Sequence, residues 1–459
     1  MSELRVYSAT THTGYGFPEA SLKQAIEWKP HVIVAQGTST DPGPYYLGSG
    51  KSYTESVGVK RDLSFIAQIS KENDIPFITS VGGAGGDVHV EAVLRLLNEV
   101  TREKKLKLRV AIISGEIDKE WLKSKIESGC EIGRIADIPR FKRLSKEDVD
   151  RSVRIVAQMG PEPIMKALDL GVDAVITGRA LDLGLYLAMP LKKGFNRDLA
   201  THMAKTIECG AIAAVPGSGS DGLFAILRRD YFLVKPPNPE RRCTVASVAA
   251  HAFYERSDPS RELVPGGYLD ISNAKFEQYD ERTVKVSRSK WVPTDVYTVK
   301  IEGVALQGYR TICIAGIRDP TAIHHIEEIL RDVKTIVENR LPGISNYALN
   351  FRVYGRDGVM GRLEPVKQIL SHELCLIVDV VAGTQEDADG ICALARSTLL
   401  HHGYPSRKTT AGNLAFPFSP SDIPVGEVYT FNIWHALPLD DPCEPFKTKV
   451  IEFPGMREV

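Results

Sequence analysis

Short, near-continuous apolar runs alternate with longer stretches of helical period through the first half of the chain. Leu4–Ala9, His31–Ala35, Pro76–Val81, Arg109–Ser114 and Asp173–Thr177 are rich in β-branched residues, the pattern of parallel strands buried on both faces. Between them, Glu19–Trp28, Lys60–Asn73, Val90–Glu103 and Asp148–Leu170 repeat apolar residues at three- and four-residue intervals, as amphipathic helices do. These repeated strand–helix units predict an α/β fold whose N-terminal part is a Rossmann-like parallel sheet with helices on both faces.

At Lys235–Arg242 the sequence Lys-Pro-Pro-Asn-Pro-Glu-Arg-Arg breaks the rhythm, because three prolines remove backbone donors and forbid a regular element. The expected division is therefore an N-terminal α/β domain over residues 1–240 and a C-terminal α+β domain over 241–459. A helix is expected at Thr244–Tyr254, then strand-like runs at Thr283–Val286 and Tyr297–Ile301. Beyond them the order is strand (Tyr309–Ile314), helix (Thr321–Arg340), strand (Tyr347–Val353), strand (Leu374–Val381), helix (Gln385–His401), strand (Glu427–Trp434). That is the ferredoxin-like β-α-β-β-α-β order.

Ligands of a parallel sheet lie beyond the carboxyl ends of its strands, so the residues after each run carry the functional reading. The five loops hold Thr10–Gly16, Gln36–Pro44, Gly82–Asp87, Gly115–Glu116 and Gly178–Asp182. A turn needs one or two glycines or hydroxyls; a supply at five successive strand ends points to a site. Gly82–Asp87 (GGAGGD) stands before a helix, where free N–H groups and the positive helix end favour an anion. It is neither the dinucleotide fingerprint, since Val88 occupies the third glycine position, nor a Walker loop. A tight turn with close strand–helix packing is the competing reading.

His12 lies in a polar loop and suits proton transfer near neutral pH; hydrogen bonding to its own loop is the alternative. Asp41, Asp87 and Glu116 fit general bases, metal ligands or caps, and Asp87 fits the N-cap of the following helix. Arg179 has the rigid fork that grips a carboxylate, with a salt bridge to Asp182 as its rival. Cys209 is a nucleophile or, more commonly, a buried thiol. The expected substrate-binding set is Gly37, Thr38, Gly83, Gly85, Gly86 and Arg179, and the expected catalytic set His12, Asp87 and Glu116. His324–His325 and His401–His402 are adjacent on helices, so neither pair shares one metal.

With 57 basic and 58 acidic residues among 459, no basic surplus indicates nucleic-acid binding. Seven scattered cysteines form no disulfide or zinc pattern, and no apolar run reaches membrane-spanning length. A cytoplasmic protein is expected. The long, nearly uncharged loop Asn413–Ser421 and the edges of the second sheet offer surfaces for a homo-oligomer.

The stretches Ser80–Asp87 (SVGGAGGD), Ala174–Leu185 (AVITGRALDLGL), Gly316–Pro320 (GIRDP), Tyr354–Pro365 (YGRDGVMGRLEP) and Ala411–Asp422 (AGNLAFPFSPSD) resemble the acyclic terpene utilisation AtuA family over essentially the whole chain. The resemblance implies an intracellular protein linked to acid or acyl-CoA catabolism and carries no assigned catalytic residues. Three functions follow as expectations. The first is a cofactor-poor hydro-lyase, a hydratase or dehydratase, acting on a small anionic substrate such as an acyl-CoA. In it His12 or Asp87 is the base, the Gly83–Gly86 amides are oxyanion donors, Arg179 is the carboxylate clamp and Glu116 the acid. The second is a metal-assisted enzyme holding a divalent ion on Asp41, Asp87 and Glu116. The third is a non-catalytic subunit that binds an acyl group or stabilises a partner.

Overall fold

The computed structural model describes residues 2–459 apart from 136–142, 255, 257, 342, 409 and 411. The chain forms two units, Met1–Ala305 with Phe431–Val459, and Leu306–Thr430. In the first unit, β1 (Glu3–Ser8), β2 (Val32–Ala35), β3 (Phe77–Ser80), β4 (Leu108–Ile113) and β5 (Ala174–Thr177) lie in the order β1-β2-β3-β5-β4, each parallel to its neighbours. Antiparallel strands extend both edges: Leu223–Arg228 beside β1 and Thr448–Phe453 beside β4. Among the described residues this sheet has eleven strands. The fold is mixed α/β, with the expected parallel centre and antiparallel flanks that the strand–helix rhythm does not foresee.

Successive residues of the parallel strands face opposite sides, as the pleat requires. Val32, Val34, Ile78 and Ile113 pack with Leu183, Leu187 and Met203 on one face. Ile33, Phe77, Ile112 and Ile176 pack with Leu63, Leu94 and Leu97 on the other. Each such side chain contributes about 1.5–3 kcal/mol over its exposed state. Helices therefore cover both faces, and the polar loops are left to the strand ends.

The stretch Asp148–Leu170 is not one helix. Lys146–Arg151 is helical, Arg154–Ala157 is a strand and Pro161–Leu168 is a second helix. Ile155 and Val156 favour extended backbone, and Pro161 opens the new helix in its first turn, where its missing N–H costs nothing. The Arg154–Ala157 strand pairs antiparallel with Ile301–Val304 of the long strand Tyr297–Ile317, setting Val156 opposite Glu302. Residues 241–305 belong to the first unit, and the proline-rich turn after Lys235 is internal to it.

In the second unit, Tyr309–Ile317 pairs antiparallel with Leu374–Ala382, which pairs antiparallel with Tyr347–Tyr354. Helices Ile326–Arg340 and Gln385–His401 bury Val333, Val337, Ile391 and Ala395 with Val353, Leu376 and Val378. The helix expected over Thr321–Arg340 divides at His325, leaving a short turn Pro320–His324 capped by the Asp319 carboxylate. Ala411, the first residue of one motif quoted above, lies outside the described residues. Among the described residues no helix is long and apolar enough to cross a membrane.

Candidate functional site

Backbone hydrogen bonds tie the loops after the parallel strands to one another. Thr13 N–H donates to Gln36 O at 2.7 Å, Ser39 N–H to Gly83 O at 3.1 Å, Arg179 N–H to Gly85 O at 2.9 Å and Gly178 N–H to Ile113 O at 2.8 Å. The Ser80 hydroxyl accepts from Gly37 N–H at 2.7 Å and from Thr38 N–H at 3.1 Å. Two glycines make this packing feasible. A Cβ on Gly85, which also adopts φ +79°, or on Gly115 would collide with the Arg179 backbone nitrogen. Gly85 and Gly115 thus let the loops approach closely around the Arg179 backbone.

Arg179 is the centre of the larger group. It is 3% exposed, and its Nε donates to Glu302 Oε2 at 3.0 Å. Nη1 donates to Thr38 O at 3.2 Å and Ala180 O at 3.3 Å, while Asp182 stands at 3.8 Å. Among the described residues these hydrogen bonds run through Nε and Nη1. Glu302, fully buried, also accepts from Thr40 Oγ1 at 2.6 Å and Lys300 Nζ at 2.7 Å. Burial works against its charge, but Arg179, Lys300 and Thr40 together hold its carboxyl below the usual range. Burial likewise opposes the Arg179 charge, and Glu302 and Asp182 more than offset it. Such hydrogen bonds offset the cost of taking both charges out of water.

His12 belongs to the same group. Its ring lies 5.3 Å, centroid to centroid, from both Tyr15 and Tyr53, and its Nε2 is hydrogen-bonded to the Tyr53 hydroxyl. Burial, reinforced by the Arg179 charge, pushes the His12 pKa down to about 4. At neutral pH the ring is therefore an uncharged base. Burial, with the Asp182 charge, keeps Tyr53 protonated well above the ordinary tyrosine range. Asp41 is exposed and acts on His12 and Arg179 through its charge. In the neighbouring β2 loop, Gln36 Oε1 and Thr38 Oγ1 are buried without a hydrogen-bond partner among the described residues. Such atoms normally cost about 1–3 kcal/mol unless a water or another polar group reaches them.

Gly86, Asp87 and Glu116 form a second group. Gly86 precedes the helix Asp87–Glu103 and donates its N–H to His89 Nδ1 at 3.1 Å. Asp87 N–H donates to Glu116 Oε2 at 2.8 Å. The helix end does attract an anion, and that anion is the chain's own carboxylate. Asp87 is the first helical residue and not the N-cap; its carboxylate accepts from Ser114 Oγ at 2.5 Å. Burial raises the Glu116 pKa, opposed by the Asp87 N–H and reinforced by the Asp87 charge. Asp87, Ser114 and Glu116 line a cavity of about 560 Å³ together with Lys447 and Lys449. Among the described residues, no three His, Cys, Asp or Glu side chains are placed to hold a metal, so Asp41, Asp87 and Glu116 do not form the ligand set weighed above. Cys209 is half-buried, and its carbonyl accepts from Thr11 Oγ1 at 2.6 Å.

Two members of the Arg179 group escape a reading of strand-end loops. Tyr53 comes from a turn between helices, and Glu302 from a distant strand. Glu302 had a signal: it is the lone carboxylate of the strand Tyr297–Ile317, set in the run Ile301–Leu306, and a buried charge must have a partner. The family model described as acyclic terpene utilisation family protein AtuA matches residues 48–216 and 229–419. The chain belongs to that family. In this AtuA family member the match includes Tyr53, Asp87, Glu116, Arg179 and Glu302, whereas His12, Gly37 and Thr38 precede it. Searches of curated proteins and of solved structures find no match.

Proposed function

We propose that this AtuA family member is an enzyme of carboxylic-acid or acyl-thioester metabolism, a hydro-lyase that works with His12 and Tyr53. One observation carries the reading: a buried histidine, hydrogen-bonded to a tyrosine hydroxyl, shares a loop cluster with a buried arginine whose hydrogen bonds run through Nε and Nη1. A carboxylate or thioester oxygen on Arg179 Nη2 gains a charge-assisted hydrogen bond that strengthens as enolate charge develops. The proton on the carbon next to that carbonyl moves to the His12–Tyr53 pair, the charge resting on the imidazole. The same pair returns it to the hydroxyl leaving the next carbon, so the substrate loses one water and the protein is unchanged. Gln36 and Thr38 supply polar atoms for the substrate. Asp87 and Glu116 fix the helix end and the loop carrying Gly85.

A screen of small acids and acyl-CoA thioesters for thermal stabilisation tests this, since a ligand at 100 times its Kd stabilises by about 2.7 kcal/mol. A stabilising acid should be hydrated or dehydrated by the wild type. His12→Gln should still bind it, with turnover lower by about 10²–10⁴-fold, and Tyr53→Phe should fall in the same direction. Full turnover in His12→Gln overturns the assignment of the base. A ligand that binds both proteins and is never converted favours the non-catalytic acyl-binding subunit.

A further inference from the structure

We infer that the second unit holds a separate binding site for a multiply phosphorylated small molecule, in the cavity walled by Arg318, His324, Arg356, Lys367 and His372. The cavity encloses about 700 Å³, within the range of small-molecule pockets. Three permanent cations, Arg318, Arg356 and Lys367, face one lining carboxylate, Glu327. They are poorly neutralised from within. Arg318 makes no hydrogen bond or ion pair among the described residues, and Oδ1 of the neighbouring Asp319 accepts from the Thr321 and Ala322 N–H groups at 2.8 and 2.9 Å. Lys367 Nζ spends one donor on the Glu364 carbonyl at 2.6 Å. Arg356 pairs through Nε with Asp357 at 3.0 Å, leaving the rest of its fork.

Arg318 and Arg356 come from the motifs GIRDP and YGRDGVMGRLEP, which the acid–base reading leaves without a role. Arg318 also lines an adjoining cavity of about 400 Å³ with Tyr354, Gly355 and Cys375. Guanidinium forks match phosphate oxygens two at a time, and several cations around one volume suit a ligand with more than one negative group. Ile323, Ile326 and Ile369 give the same cavity an apolar wall for a ring or hydrocarbon attached to the phosphates.

Calorimetric titration of the full chain with ADP, inorganic pyrophosphate and citrate tests the site. ADP and pyrophosphate should bind, more weakly as salt rises, and citrate should bind less well than either. Tighter binding of ADP than of pyrophosphate assigns the apolar wall to the attached group, and equal binding assigns recognition to the phosphates alone; both support the site. Arg318→Ala and Lys367→Gln, changes at exposed positions, should each weaken binding by about tenfold with unchanged thermal unfolding. His12→Gln should bind like the wild type, which separates this site from the acid–base centre. No binding of either phosphate compound at millimolar concentration, citrate binding as well as pyrophosphate, or affinity untouched by Arg318→Ala overturns the inference.

Discussion

Arg179 and Arg318 are both strand-end arginines in glycine-containing stretches, and the structure treats them in opposite ways. Arg179 is buried, with its charge compensated by Glu302 and Asp182 and its Nη1 donating to two carbonyls. Arg318 is exposed and has no protein partner among the described residues. The first has an environment that fixes a guanidinium in one position and shifts neighbouring pKa values. The second costs little to hold and is open to whatever anion arrives. Position after a strand therefore does not settle an arginine's role; the strand running opposite it does, and for Arg179 that strand brings Glu302.

The contrast can be broken by substitution. Removing one partner of a buried ion pair strands the other charge, so Arg179→Met should cost about 3–5 kcal/mol in denaturant unfolding. A loss under 1 kcal/mol would mean that Glu302 is not held as described. Next in size is the pH dependence. His12 has its folded pKa depressed from 6.5 to about 4, so the unfolded chain binds the extra proton across that window and stability rises with pH from about 4 to 6.5. The difference from His12→Gln should approach about 3 kcal/mol, and parallel curves for the two proteins would contradict it. Gly115→Ala overpacks the Arg179 backbone and should cost about 1–3 kcal/mol. The same change at Gly390, helical and with open space beside it, should stabilise by up to about 1 kcal/mol, and like-signed shifts in Tm would remove the packing argument. Arg318→Ala should stay within about 0.5 kcal/mol.

Much of the central sheet could be read directly. β2 is apolar on both faces, and β1 and β3 largely buried, because helices cover both sides, and the polar loops follow from that. What periodicity cannot show is partnership across long sequence distance. The Arg154–Ala157 strand was hidden in a longer helical pattern, because four residues carry too little period to stand out against their flanks. Antiparallel flanks such as Leu223–Arg228 carry the same apolar signature as any strand. That Gly37, Thr38, Gly85 and Arg179 are neighbours is legible because loops after parallel strands share one edge. Tyr53 and Glu302 are not legible in that way, because neither follows such a strand. Asp87 and Glu116 lie on the expected edge, yet the helix-end site expected for a ligand anion is filled by Glu116 itself, something glycine spacing has no means of revealing.

The uncharged state of His12 is the claim on which the chemistry rests. Titration of the histidine ring carbons by NMR, with His12 assigned from the signal lost in His12→Gln, measures it without knowledge of the substrate. The midpoint should lie at about 4 and change further on Tyr53→Phe; a midpoint near 6.5, indifferent to Tyr53, would contradict an uncharged, tyrosine-bonded ring.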